Sequence, residues 1–99
     1  MTRWVAVFED DPSALAVREE FTAHHLSYLD ANRDAILLPG GLRPAPGHGL
    51  EGALWVIEAE GRETAAALCE NDPFFRHGLR KSYRLYVWGK AFPERAVTL

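Results

Sequence analysis

Two residues of this chain combine chemistry with an informative position, His25 and Asp72. His25 stands between Phe21 and Leu29, each four residues away, so on a helix all three share one apolar face. An imidazole on such a face is costly unless its nitrogens find partners, and its near-neutral pKa makes it the usual proton carrier wherever a substrate reaches it. The plain reading is a core-edge histidine satisfied by a backbone carbonyl; the functional one is a general base. Asp72 precedes Pro73, as Asp11 precedes Pro12, and Asp-Pro is a helix-start pair in which the carboxylate accepts free backbone N–H groups. Capping alone accounts for Asp72. A carboxylate nevertheless has about four acceptor positions, which leaves one oxygen able to orient an imidazole.

The remaining polar residues offer less. His24 and His25 are adjacent and point about 100° apart on a helix, so they cannot grip one ion, and His48 and His77 fall in loops without cysteine or carboxylate patterns. No metal and no organic cofactor is expected. Gly40 and Gly41 allow close backbone approach to a ligand, but no phosphate-binding glycine motif is present and a hairpin turn is the better account of them. Ser27 lacks a nucleophile-elbow context and Cys69 lies on the packing face of a helix. Glu19, Glu20, Glu51 and Glu58 read as solvated-face residues. By residue type alone, Trp4, Trp55, Phe75 or Trp88 would supply apolar walls to a cleft, and Arg43 or Arg80 would bind an anionic substituent.

The elements that must position these groups follow from the pattern. Residues 3–9 are β-branched and aromatic, as in a strand. From Asp11-Pro12 to about Ala31 no glycine or proline intervenes, and Ala14, Val17, Phe21, His25, Tyr28 and Leu29 share one arc of an amphipathic helix. Residues 35–38 form a short apolar run ended by Pro39, Gly40 and Gly41, and Pro44, Pro46, Gly47 and Gly49 mark a loop. Residues 53–59 read as a strand, 62–71 as a helix, 72–78 as a short helical turn and 82–88 as the last strand, with the tail from Ala91 undetermined. The order β-α-β-β-α-β predicts an α+β, ferredoxin-like arrangement: an antiparallel sheet with two helices on one face. The strands are apolar on both parities, however. Two helices cover one face only, so the other, expected to be the aromatic-rich one, needs a partner, and the expectation is a homodimer packed sheet to sheet.

Length and composition bound the rest. At 99 residues one domain spanning 1–99 is expected, and a single cysteine allows no internal disulfide, which suits a reducing cytoplasm. No apolar run is long enough to span a membrane, and Arg3, Glu9, Asp10 and Asp11 interrupt the region where a secretion signal would need its apolar core. A net charge of -3, with arginines spread singly, opposes nucleic acid as a partner.

Three segments in order, His25-Leu26-Ser27-Tyr28-Leu29, Leu37-Leu38-Pro39-Gly40, and Asp72-Pro73-Phe74 closing at Gly78-Leu79, with the Glu58 strand and an alanine-rich helix between, resemble the successive signatures of YCII-related (YciI-like) proteins across about residues 3–92. The resemblance implies a dimeric ferredoxin-like fold of the dimeric α/β-barrel superfamily, with a site built on a histidine and an aspartate that correspond here to His25 and Asp72. At least one member of the family is a dehydrochlorinase of a chlorinated hydroxyquinol. Gly41 departs from the family's usual proline, and residues 81–90 are more aromatic than usual, so substrate identity does not transfer. The expected function is a small-molecule enzyme using the His-Asp pair for general acid/base chemistry: elimination, isomerisation or lactone-type turnover of an aromatic catabolite. Gly40, Arg43, Phe75 and Trp88 are its candidate substrate contacts. The alternatives are a non-catalytic ligand-binding or dimerisation module and a cofactor-free, monooxygenase-like enzyme.

Overall fold

The computed structural model of the protein describes residues 1–97. The chain runs β1 (Thr2–Asp10), a single 3-10 turn (Pro12–Ala14), α1 (Leu15–Ala31), β2 (Ile36–Leu42), β3 (Gly52–Ala59), α2 (Arg62–Glu70), α3 (Pro73–Arg76) and β4 (Arg80–Val87). The Asp-Pro pairs act as their chemistry dictates. Asp11 Oδ1 accepts from the Ser13 backbone N–H at 2.9 Å and from its hydroxyl at 2.7 Å, with Pro12 opening the turn that feeds α1.

All strand pairs are antiparallel and the sheet order is β2-β3-β1-β4, with the helices on one face, which is the ferredoxin-like α+β fold. Register follows from alternation: Ala6 lies opposite Trp55 on one side and Leu85 on the other. Trp4, Ala6 and Phe8 of β1 join Ala53, Trp55, Ile57 and Ala59 of β3 beneath Ala65 and Cys69 of α2. The aromatic-rich parity is thus the helix-covered one, the reverse of the sequence-based expectation. The reason is volume: α2 offers only an alanine and a cysteine as fully buried residues, so large rings from the sheet must fill the layer between. The open face carries the smaller set, Val5, Val7, Leu54 and Val56, with Tyr86 alongside. Among the described residues no helix is long and apolar enough to cross a membrane.

A second difference concerns β2. Pro39, Gly40 and Gly41 do not end the strand or make a hairpin turn; they continue it to Leu42, with Gly41 opposite Ala53. β2 is an edge strand, where proline's missing N–H costs no ladder bond if it faces outward, and a register shift between Ile36 and Leu38 accommodates the change.

Gly52, where β3 begins, has a steric role. A Cβ there would lie 2.1 Å from the Phe8 carbonyl oxygen, against backbone that cannot swing aside. Gly52→Ala is therefore expected to push β1 and β3 apart and lower the melting temperature by about 10 °C or more, on the scale of a severe overpacking defect. A thermal melt followed by circular dichroism checks this; an unchanged midpoint would refute the close approach. Gly41 is the contrasting control, because its added Cβ would meet only the tip of the Leu50 side chain.

Candidate active site

Helix α1 does not lie flush on the sheet. None of its residues is fully buried, and a cleft of about 300 Å³ opens between it and the β2–β3 edge. Residues Arg18, Thr22, His25 and Leu29, spaced at helical intervals of three and four, form the α1 wall of that cleft. Pro39 to Gly41 form the opposite wall, and Trp55 contributes to the lining.

Asp72 enters from the other direction as the cap of α3, where its Oδ1 accepts from the Phe74 backbone N–H at 3.3 Å. The same oxygen lies 2.6 Å from His25 Nδ1. Capping and imidazole binding are therefore both properties of this one carboxylate, which is fully buried. The imidazole is held flat as well: it stacks on Phe74 with ring centroids 4.0 Å apart and 13° between planes, with Trp55 at 6.4 Å. Because Nδ1 is bound to a carboxylate, the neutral ring carries its proton there and leaves the Nε2 lone pair free. The His25 side chain is 12% exposed and lines the cleft.

Beneath the pair lies a buried ion network. Arg80 Nη1 donates to Asp10 Oδ1 at 2.7 Å, Arg18 Nη2 binds the other Asp10 oxygen, and Arg80 Nη2 stands 3.8 Å from Asp72 Oδ2. Two carboxylates are thus matched by two guanidinium groups, which is what makes burial of either sign tolerable. The charge that appears when His25 takes a proton falls beside Asp72. Tyr28, on the neighbouring flank of α1, donates its hydroxyl to the Leu68 carbonyl at 2.6 Å, and burial, with Asp72 nearby, pushes its pKa up to about 12. Burial likewise pushes the Cys69 thiol up to about 12, with negative charge on Glu70 and Asp72 adding to the effect. Cys69 is therefore a neutral packing residue rather than a nucleophile.

Of the candidate substrate contacts, the structure brings Gly40 to the cleft. Arg43 is exposed on the loop after β2, outside the cleft lining. Phe75 points away, edge-on to Tyr83 at 5.6 Å, and it is the adjacent Phe74 that touches His25. Trp88 lines a hollow with Leu38, Val56 and Arg3, away from His25. Trp4 is buried and donates its indole N–H to the Ala59 carbonyl at 3.2 Å. Sequence reasoning missed Asp10, Arg18 and Phe74. Arg18 had a legible signal, since it lies seven residues before His25, two helical turns away on the same face. His24 and His77 lie apart from the pair, the latter stacked on Phe21 at 3.8 Å. Among the described residues no three His, Cys, Asp or Glu side chains are grouped to hold a metal.

A ferredoxin-like α+β sheet with an aspartate-bound imidazole facing a cleft under its first helix defines the class to which this molecule is to be compared. The chain belongs to the YCII-related domain family, whose model matches residues 2–89. Among solved structures it is similar to the 5-chloro-2-hydroxyhydroquinone dehydrochlorinase TftG of Burkholderia phenoliruptrix, in complex with 2,5-dihydroxybenzoquinone, with a TM-score of 0.78 and 27% identity over 88% of this chain and 93% of that one. An Agrobacterium tumefaciens protein aligns over 92% of this chain and 94% of its own at 10% identity and a TM-score of 0.41, too distant to bear on the site. No curated protein sequence matches significantly.

Proposed function

We propose that this protein is an enzyme that moves protons on a small hydroxylated aromatic molecule, with His25 as general acid/base and Asp72 as the group that orients and stabilises it. The observation that carries this reading is the 2.6 Å contact between His25 Nδ1 and a buried Asp72 oxygen, made by an imidazole that lines an open cleft. Such a pair keeps one tautomer in place and stabilises the imidazolium that forms, with rate effects of about 10²- to 10⁴-fold. A merely structural histidine would have no reason to line a space large enough for a single aromatic ring.

The similarity to a dehydrochlorinase makes loss of HCl from a chlorinated hydroxyquinol the first reaction to test. In that reaction one hydroxyl proton moves to the ring carbon bearing chlorine, a second hydroxyl proton leaves with chloride, and a hydroxyquinone results. A base that accepts at Nε2 from oxygen and delivers to carbon serves both transfers. Chloride release and quinone absorbance from 5-chloro-2-hydroxyhydroquinone measure it. If neither this compound nor a panel of hydroxylated aromatics is eliminated or tautomerised, the enzymatic reading is lost and a ligand-binding module takes its place.

The same proposal includes a homodimer joined through the open sheet face. Supporting it are the apolar side chains of that face, with Tyr86 and Trp88 still 47% and 46% exposed on one chain. Light scattering at micromolar concentration is expected to give twice the chain mass of 11.1 kDa. A mass of one chain would refute the dimer.

A further inference from the structure

The two arginines of the cleft hold more donors than the carboxylates beside them use. Arg80 is locked: its side chain is 2% exposed, its guanidinium lies over Phe8 at 4.8 Å and Phe74 at 5.3 Å, and its Nη1 is spent on Asp10. Its Nε is buried with no hydrogen-bond partner. Arg18 is the outer of the two, 23% exposed, with one Nη on Asp10, its guanidinium 5.2 Å from the Phe74 ring centre, and its own Nε also buried and unpartnered. An unmet buried donor costs about 1–3 kcal/mol and is rare in native interiors unless some further group completes it. Here two occur on cationic side chains that line the same cleft as His25.

We propose that Arg18, backed by Arg80, is an anion-binding site for the substrate, taking a phenolate, enolate or carboxylate oxygen while the substrate's reacting hydroxyl faces His25 Nε2. The substrates are then small planar acids that carry negative charge in the cleft, and neutral rings of the same size are discriminated against. Spacing supports the division of labour. Arg18 and His25 lie two turns apart on one helix face, about 10 Å along the axis, and the reach of an arginine shortens this to the width of one substituted ring. Donor geometry supports it also. Asp10 and Asp72 offset the charge of Arg18 and Arg80 and hold both guanidinium groups in place, so negative charge that develops on the substrate is met by preoriented N–H donors rather than by excess positive charge. Arg rather than Lys suits the task, because a planar fork can keep Asp10 on one edge and offer another to the ligand.

This inference deepens the proton-transfer reading above and rests on it for its catalytic meaning, but binding tests it separately. Calorimetry at pH 8 and low salt would compare 2,5-dihydroxybenzoquinone and 4-nitrophenolate with their uncharged methyl ethers. The unaltered protein is expected to bind each anion at least about 10-fold more tightly than its ether, with the preference shrinking as salt is raised. Arg18→Gln should erase most of that preference while changing ether binding less than about 2-fold, and Arg18→Lys should keep part of it. Arg80 still holds Asp10 in both variants, and a thermal melt verifies their folding. The inference is overturned if the unaltered protein shows no preference for the anions, including the case in which none of the four compounds binds at millimolar concentration, or if Arg18→Gln retains the preference. His25→Asn separates the two readings: it should lose turnover and keep the anion preference. Loss of turnover there with no effect of Arg18→Gln on affinity leaves the base standing and the anion site refuted.

Discussion

Replacing His25 with asparagine is expected to lower turnover by about 10²- to 10⁴-fold while the protein stays folded. The substitution suits the geometry. An asparagine amide nitrogen falls near the place of Nδ1 and can still donate to the Asp72 oxygen that His25 now meets at 2.6 Å. What it lacks is Nε2, the second nitrogen of an imidazole that lines the cleft. The stack on Phe74 is also lost, at a cost of about 1 kcal/mol, so the melting temperature should fall by no more than about 8 °C. Steady-state rates and a thermal melt on the same preparation decide the matter. Unchanged turnover would eliminate His25 as the base; collapse of folding would make it a structural histidine whose proton chemistry is incidental.

Asp72→Asn is the second large effect, and it separates the two duties of this carboxylate. An asparagine keeps an oxygen for the Phe74 N–H at the start of α3, so the cap survives. The same oxygen still faces His25 Nδ1, so what is removed is the negative charge that stabilises an imidazolium, and the amide nitrogen takes the place of Oδ2 on the side of Arg80. Turnover is expected to fall by about 10³-fold or more, with the cap kept and only the counter-charge 3.8 Å from Arg80 lost. Asp72→Ala should lose the same activity and also the cap, with the buried Arg80 deprived of a counter-charge 3.8 Å away, so its melting temperature should drop by at least about 8 °C. The double variant His25→Asn/Asp72→Asn should be scarcely slower than either single one, because residues acting as a unit are not additive. Multiplying effects would show that the two side chains work independently. Activity retained in Asp72→Asn would reduce Asp72 to a helix cap.

Both predictions depend on a meeting that no local pattern encodes. His25 and Asp72 are 47 positions apart, one in the third turn of a helix and the other at the mouth of a four-residue helix. Their separate signatures were legible: an imidazole on an apolar stripe and an Asp-Pro start. The succession of strands and helices along the chain and the two-helix layer also follow from hydrophobic period and punctuation. The Pro39-Gly40-Gly41 segment misled because glycine and proline are read as breakers, whereas an edge strand tolerates both by needing only one side of its backbone paired.

The covered sheet face could not be chosen from alternation either. Period two separates the parities of a strand but does not say which of two apolar parities faces the helices, and that choice turned on the small residues α2 brings to the layer. Local composition thus determined the elements, their order, the apolar stripe of α1 and the caps, because those depend on neighbours within a few residues and on the repeat of helix or strand. Packing decided that Asp72 turns one oxygen to an imidazole, that Phe74 rather than Phe75 supports it, and that Arg18 and Arg80 converge on Asp10. These are contacts between residues distant in the chain, and each arises because a buried charge or ring must find its partner in three dimensions once the backbone has closed around it.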